Sequence, residues 1–237
     1  MLRPRVIANF ALTADGKVST RNGTPTGFTS AEDKRRLLEI RALGDALLVG
    51  ARTVATDHMA MRLPDPEFQR QRLARGQTPE PRPVIASNRG RINPTAKVFR
   101  KPPLPPIVFS TRRMAATTQT KLASLSDLWI FDAETVPLNS LLAILHRDYG
   151  FRTLICEGGP TLFRALLSID AIDELHLTWA PCIFGGAKAP TLTGAPGAFL
   201  AETRSARLLS MKTIGEECFL HYQFKKRSPG KAAKNAS

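Results

Sequence analysis

Six short apolar runs dominate the first two thirds of this chain: VIANFAL (6–12), ALLVG (46–50), PVIAS (83–87), PIVFS (106–110), DLWIF (127–131) and TLICE (153–157). Each is β-rich and bounded by turn residues, and helical patterns separate most of them. Runs of that length alternating with helices predict a mostly parallel sheet covered on both faces. The last third changes character. ELHLTWAP (174–181), ARLLSMKTI (206–214) and ECFLHYQF (217–224) have no helix between the final two, and Gly215 in an Ile-Gly-Glu connection predicts a terminal antiparallel hairpin.

Helix ends are legible too. Thr29 to Glu32 matches a capping box, Leu37, Ile40 and Leu43 follow at helical spacing, and Gly44 stops the helix. Gly159-Pro160 opens another helix, with Leu162, Phe163, Leu166 and Ile169 as its apolar face. Residues 64–83 are polar and proline-flanked, which predicts an excursion bearing a short basic helix. With no repeat or linker evident, the expected organisation is one domain over 1–224 and a disordered basic tail over 225–237.

Composition narrows the function. With 237 residues, 43% hydrophobic and 23% charged, the chain can bury a core without disulfides, so wholesale disorder and fibrous folds are excluded. The net charge of +14 points to an anionic partner. Lys225, Lys226, Arg227, Lys231 and Lys234 account for +5, leaving +9 on the folded part. Cys156, Cys182 and Cys218 lie far apart without metal-ligand spacing, so they are expected to be buried free thiols in a reducing compartment, and no metal is expected. No apolar run reaches the ~20 residues of a membrane span, and no signal-peptide cleavage site follows Met1, so the expectation is a soluble cytoplasmic protein without membrane association.

The chemistry is expected at strand ends, because loops at the carboxyl ends of parallel strands share one sheet edge. Gly158 and Gly159 stand between a strand and a helix start, either as a phosphate cradle or as an ordinary tight turn. ALLVG-ARTVATD places Arg52 and Thr53 in a first helical turn, where they either meet an anion or face solvent. IASNRGR offers Ser87, Asn88 and Arg89, and FSTRR offers Ser110, Thr111 and Arg112. Four such loops on one edge favour an anionic nucleotide over any single loop. Among the acids, Asp15 is either an Asp-Gly turn or a functional group, Asp57 closes the Arg52 turn, and Glu157 precedes the two glycines, suited to accept hydrogen bonds from a polar substrate or to orient a loop; local capping is the alternative for Asp57 and Glu157.

In their order, these motifs resemble the reductase domain of bifunctional riboflavin-biosynthesis enzymes, the 5-amino-6-(5-phosphoribosylamino)uracil reductases of the dihydrofolate reductase-like superfamily. The matching pieces are LTADGKVS (12–19), GFTS (27–30), the helix with Arg41 leading into DALLVGARTVATD (45–57), PVIASNRGRINP (83–94), EGGPTL (157–162) and DELHLTWAPCIFGG (173–186). The resemblance implies a dihydrofolate reductase-like α/β fold, NADPH as cofactor, and hydride transfer to the C1′ carbon of a ribosylamino sugar through an open-chain imine.

Carried over by position, Thr13, Gly27, Thr53, Asp57 and Ser87 match cofactor positions. Gly158, Gly159, Pro160, Thr161 and Leu162 match the cofactor's phosphate-binding turn and helix, which runs on to Ala165. Thr29, Arg41, Met61 and Glu157 match the substrate side. Arg52, Asn88 and Arg89 fall where the superfamily holds the adenosine 2′-phosphate. Glu157 or Asp57 would then supply electrostatic help to a cationic imine.

The chain departs from the family's D-D-P-x-L-T-x-R by reading Asp57-His58-Met59-Ala60-Met61-Arg62-Leu63-Pro64, so Arg62 is the candidate for the shifted arginine, and His58 is expected to be a loop residue. A zinc-deaminase signature is absent, which predicts a stand-alone reductase module; the resemblance implies a phosphorylated small-molecule substrate and a homodimer. Two rivals stand beside it. One is a reductase of the same fold acting on another carbonyl, imine or pterin-like compound. The other is a basic nucleic-acid-binding module, disfavoured by 7% aromatics and the lack of any recognition motif.

Overall fold

The computed structural model describes residues 2–19, 27–56, 61–194, 200 and 202–226. The chain runs β1 (Arg5–Thr13), α1 (Ala31–Leu43), β2 (Ala46–Gly50), α2 (Ala51–Thr56), α3 (Pro66–Ala74), β3 (Arg82–Ser87), β4 (Ile107–Thr111), α4 (Ala116–Ala123), β5 (Asp127–Phe131), α5 (Leu138–Arg147), β6 (Thr153–Cys156), α6 (Pro160–Ser168), β7 (Glu174–Ala180), β8 (Ala206–Ile214) and β9 (Glu217–Phe224). The expected strands lie within a residue or two of their expected bounds, and α3 is the basic helix of the 64–83 excursion. The tail residues from 227 onward lie outside the described residues.

All nine strands form one sheet in the order β5-β4-β3-β2-β6-β1-β7-β9-β8. Pairing is parallel from β5 through β7, and β9 and β8 add the antiparallel hairpin. Because successive side chains of a strand point to opposite faces, the apolar runs feed two cores. Val6, Ala8, Leu48, Phe109 and Leu154 pack with Leu141 and Leu145 of α5 and Phe163 and Leu166 of α6. Ile7, Leu47, Val49, Ile85 and Ile155 pack with Ile40 of α1, Val54 of α2 and Leu122 of α4. At the turn of the hairpin Gly215 has φ +60, the left-handed region that glycine enters without strain.

Local details differ from the sequence expectation. The N-cap of α1 is Ser30, whose hydroxyl accepts from the Asp33 amide, one residue later than the Thr29 to Glu32 box. The reason is distant: Glu217, at the start of β9, accepts from the Ser30 amide at 2.8 Å and the Ser30 hydroxyl at 2.5 Å. Leu43 is exposed, and α1 buries Ile40, Arg41 and Ala42 instead. Of the cysteines only Cys156 is fully buried; Cys182 and Cys218 are half-buried, because they sit in the loop after β7 and at the edge of the hairpin. Burial pushes the Cys156 thiol up to about 12.

Candidate active site

The order of strands reverses where β6 lies between β1 and β2, and in open α/β sheets ligands bind beyond the carboxyl ends at such a switch point. Two junctions that are separate in sequence meet here. The Gly50 amide donates to the Gly158 carbonyl at 2.7 Å, and the Glu157 amide to the Leu48 carbonyl at 3.1 Å. The Gly158–Gly159 peptide is cis. Both glycines are crowded where a side chain would start. Gly158 has φ +91 and its Cβ would lie 3.0 Å from the Phe10 ring, while a Cβ on Gly159 would lie 2.9 Å from Thr53 Oγ1.

Bare backbone therefore runs into α6, with Gly159 as an N-cap that offers no side-chain hydrogen bond and Pro160 in the first turn, followed by exposed Thr161 and half-buried Leu162. First-turn amides without a side-chain cap, at the positive end of a helix dipole, suit an anion. Thr53 faces this cradle from α2, beside an exposed Arg52.

Behind the cradle lies a buried ion pair. Arg41 donates from Nε to Glu157 Oε1 at 2.6 Å and from Nη2 to Oε2 at 2.7 Å, with side chains 9% and 4% exposed. Its Nη1 donates to the Arg62 carbonyl at 2.8 Å. Burial works against the Arg41 charge, but the Glu157 carboxylate outweighs it and holds the guanidinium above its ordinary pKa. Both groups that the sequence assigned to the substrate are thus engaged with each other. Arg62 pairs through its own guanidinium with Glu80, 2.5 and 2.6 Å away. Met61 has φ 54 and is 1% exposed, and its side chain belongs to the core beneath the site rather than to its surface.

At the end of β1, Thr13 is fully buried: its hydroxyl donates to Asp15 at 2.5 Å and accepts from the Lys17 amide at 2.9 Å. Gly27 has open space where a side chain would be, and Thr29 is half-buried beside the cap of α1. Asp57 and His58 lie outside the described residues.

Farther along the same edge, a cavity of about 350 Å³ is lined by Arg89, Gly90, Arg91, Ile92, Arg113, Ala115 and Thr118. Gly90 has φ +59, and a Cβ there would meet the Met114 side chain at 2.4 Å, so only glycine lets the loop after β3 close onto the start of α4. Asn88 locks the same loop. Its Oδ1 accepts from the Val136 amide at 2.9 Å, and its carbonyl accepts from the Thr111 hydroxyl at 2.6 Å. The Ser87 carbonyl accepts from the Ser110 hydroxyl at 2.7 Å. Arg112 is not in the cavity wall and makes an exposed ion pair with Asp132.

The family model described as the RibD C-terminal domain matches residues 4–220. The chain belongs to this family. Its members include the pyrimidine reductases of riboflavin biosynthesis, and the chain is accordingly read as an oxidoreductase of that pathway. It is 31% identical to the 2,5-diamino-6-ribosylamino-4(3H)-pyrimidinone 5′-phosphate reductase of Archaeoglobus fulgidus over 216 residues, 91% of this chain and 95% of that protein. The reductase of the same name from Methanothermobacter thermautotrophicus is 30% identical over 227 residues, covering 94% of this chain and all of the relative. Among solved structures, a pyrimidine reductase-like protein from Corynebacterium diphtheriae superposes with a TM-score of 0.83 at 22% identity, over 94% of this chain and 93% of that one. The fold likeness extends to a dihydrofolate reductase from Enterococcus faecalis, at a TM-score of 0.50 and 12% identity, over 95% and 100% of the two chains.

Sequence reasoning missed several residues of this pyrimidine reductase. Arg91 and Arg113 line the cavity with Arg89, while Arg52 stands exposed beside the glycine cradle and Arg112 pairs with Asp132. The runs SNRGR and STRR signalled arginines at these two strand ends, but not which of them turn inward. Glu80 and Glu217, partners of Arg62 and Ser30, carried no local signal, because what they hold lies 18 and 187 residues away.

Proposed function

We propose that this reductase uses NADPH to reduce the ribosylamino carbon C1′ of a phosphorylated pyrimidine that still carries its 2-amino group, the compound in the name of its archaeal relatives. The observation that carries the cofactor reading is the pairing of two anion-receptive places on one sheet edge. The glycine cradle at 158–159 suits a diphosphate, and the cavity of Arg89, Arg91 and Arg113 suits a further phosphate. Gly159 caps α6 without a side-chain hydrogen bond, which leaves first-turn backbone for a cofactor's phosphates to approach. NADPH, when bound, supplies the hydride; Gly158, Gly159, Thr161 and Thr53 would hold its diphosphate and the three arginines its 2′-phosphate.

The residues of the chain have modest chemistry to perform: they orient the two reactants and exclude water. The Arg41–Glu157 pair ties α1, the end of β6 and the 61–63 segment into one rigid wall. In this reading Glu157 acts by holding that wall and by placing negative charge near a developing cation, not as a free acid or base. For assembly, β8 supports a homodimer. It is an edge strand exposed along its whole length yet carries Leu208, Leu209, Met211 and Ile214, a pattern that a second copy would cover.

An NADPH oxidation assay with the 2-amino and the deaminated phosphoribosylamino-pyrimidines tests cofactor and substrate together. Turnover on the deaminated compound alone would reverse the substrate assignment. Arg89→Ala combined with Arg91→Ala is expected to raise the KM for NADPH by at least about tenfold and to leave the KM for NADH nearly unchanged, because a charge-assisted phosphate contact contributes about 1.5–3 kcal/mol. Equal effects on the two cofactors would remove the cavity from the reading.

A further inference from the structure

The loop leaving β1 is fastened to the loop leaving β7 through one carboxylate. Asp15 Oδ1 accepts from the Thr13 hydroxyl at 2.5 Å and the Phe184 amide at 3.2 Å, and Oδ2 accepts from the Gly185 amide at 2.8 Å. Gly185 and Gly186 have φ +65 and +78, so the chain turns there through two consecutive left-handed residues that aim these amides inward. The Ala14 amide donates to the Cys182 carbonyl at 2.7 Å, and the Val18 amide to the Pro190 carbonyl at 3.0 Å. Beyond the carboxylate, the Phe184 ring meets Phe28 edge-on at 5.2 Å, which extends the contact to the segment carrying Thr29.

We propose that Asp15 is a positioning residue for hydride transfer: it holds the 182–186 loop against the exit of β1 and so fixes the wall of the cleft opposite the α2 side. The placement follows from topology. Strand β1 lies between β6, which ends in the glycine cradle, and β7, from which this loop departs, and the Phe10 ring of β1 packs against Gly158.

Three donors converge on Asp15, and only an acceptor-only group with two oxygens satisfies all of them; an asparagine there would turn an NH₂ toward an amide N–H. The Thr13 hydroxyl, against some desolvation and together with the Phe184 and Gly185 amides, holds the Asp15 carboxyl below its ordinary pKa. At the 184–185 turn the Asp15 carboxylate adds side-chain hydrogen bonds to the backbone contacts of this loop, and neighbouring Ile183 is largely exposed. An Asp-Gly turn alone would need no partner 169 residues away.

This inference rests on the NADPH reading above, and the test separates the two. Asp15→Asn and Asp15→Ala are compared with the unaltered full chain by hydrogen exchange of the 182–190 segment without cofactor, by NADPH fluorescence titration, and by turnover. Exchange in α5 serves as the folding control. Loss of charge-assisted hydrogen bonds is expected to speed loop exchange and to weaken NADPH binding by about tenfold each, with lowered kcat and unchanged exchange in α5.

Thr13→Val, which removes one donor and keeps the carboxylate, should act in the same direction by less, and it carries the test if the Asp15 variants do not fold. Unchanged loop exchange would overturn the proposal. So would a loosened loop with NADPH affinity and kcat both within about twofold of the unaltered chain. If the unaltered chain itself fails to bind NADPH, the cofactor reading falls, while loop exchange still decides whether Asp15 holds the loop.

Discussion

Arg41 of α1 and Arg72 of α3 are both buried near the C-terminal end of α1, yet their surroundings treat the same charge in opposite ways. Arg41 faces a carboxylate squarely, two nitrogens to two oxygens, and its pKa stands above the ordinary value despite burial. Arg72 is 0% exposed and donates only to carbonyls, those of Ala42, Gly44 and Thr78. Burial pushes it down to about 10, with the charge of Asp45 offsetting only part, and its Nη2 is buried without a hydrogen-bond partner among the described residues. Its task is to cap the carbonyl end of α1, where a cation also meets the negative end of the helix dipole.

Arg36 resembles Arg72 more than Arg41. Its Nη2 lies 3.1 Å from His176 Nδ1, its Nε has no hydrogen-bond partner among the described residues, and burial lowers its pKa. An arginine cannot accept, so His176 must receive this bond at Nδ1 and carry its proton on Nε2. The histidine is stacked on His221 at 4.1 Å, and His221 Nε2 lies 2.9 Å from Glu174, which also pairs with Arg5. Burial first, then the charges of His221 and Arg36, drive His176 to about 4, with Glu174 opposing. Buried charge is thus matched at Arg41 and under-matched at Arg36 and Arg72, although Arg41 and Arg72 lie at the same end of α1.

That contrast can be broken experimentally, and the largest effect is expected at the matched pair. Glu157→Gln leaves Arg41 buried without a counter-charge and should cost about 3–5 kcal/mol of unfolding free energy in denaturant melts. At a temperature where the variant is folded, turnover should fall while NADPH affinity persists; unchanged turnover would remove Glu157 from the mechanism.

Arg72→Met should cost less, about 1–3 kcal/mol, because it exposes no unpaired charge and loses only hydrogen bonds to carbonyls. A cost equal to that of Glu157→Gln would erase the distinction between the two arginines.

The His176 cluster is expected to show in the pH dependence of stability. Between pH about 4 and about 6.5 the unfolded chain binds a proton that the folded chain does not, so stability rises with pH across that window. Acidification through it should cost at most about 3.4 kcal/mol. Urea melts from pH 4 to 7 should therefore show a shallower slope in His176→Gln than in the unaltered chain; identical slopes would mean that the histidine titrates normally. The smallest effect belongs to Arg112→Ala, which removes an exposed pair with Asp132 and should shift stability by no more than about 0.5 kcal/mol.

Much of this was legible in the chain. The apolar runs marked the strands because sheet burial on both faces demands continuous hydrophobicity, and Gly215 marked the hairpin because few residues other than glycine take φ +60 cheaply. Gly158 and Gly159 could be singled out as a bare junction. That Phe10 and Thr53 crowd any side chain there could not, since those atoms arrive from another strand and helix. Leu43 fitted the helical period and is exposed, while Arg41 broke the period and is buried, because Glu157 waits for it 116 residues away.

Periodicity, turn chemistry and motif order are properties of neighbouring residues, so the sequence by itself determined the element types, the parallel sheet with its hairpin, and the family. The fate of each charge was decided by the tertiary structure. Of the arginines that the basic composition put forward, Arg41 became a buried ion pair, Arg62 the partner of Glu80, Arg112 a surface pair, and Arg89 a wall of the cavity beside Arg91 and Arg113. Local pattern does not encode those outcomes, because the energy of a charge depends on the water it loses and on the counter-charge brought to it from elsewhere in the chain.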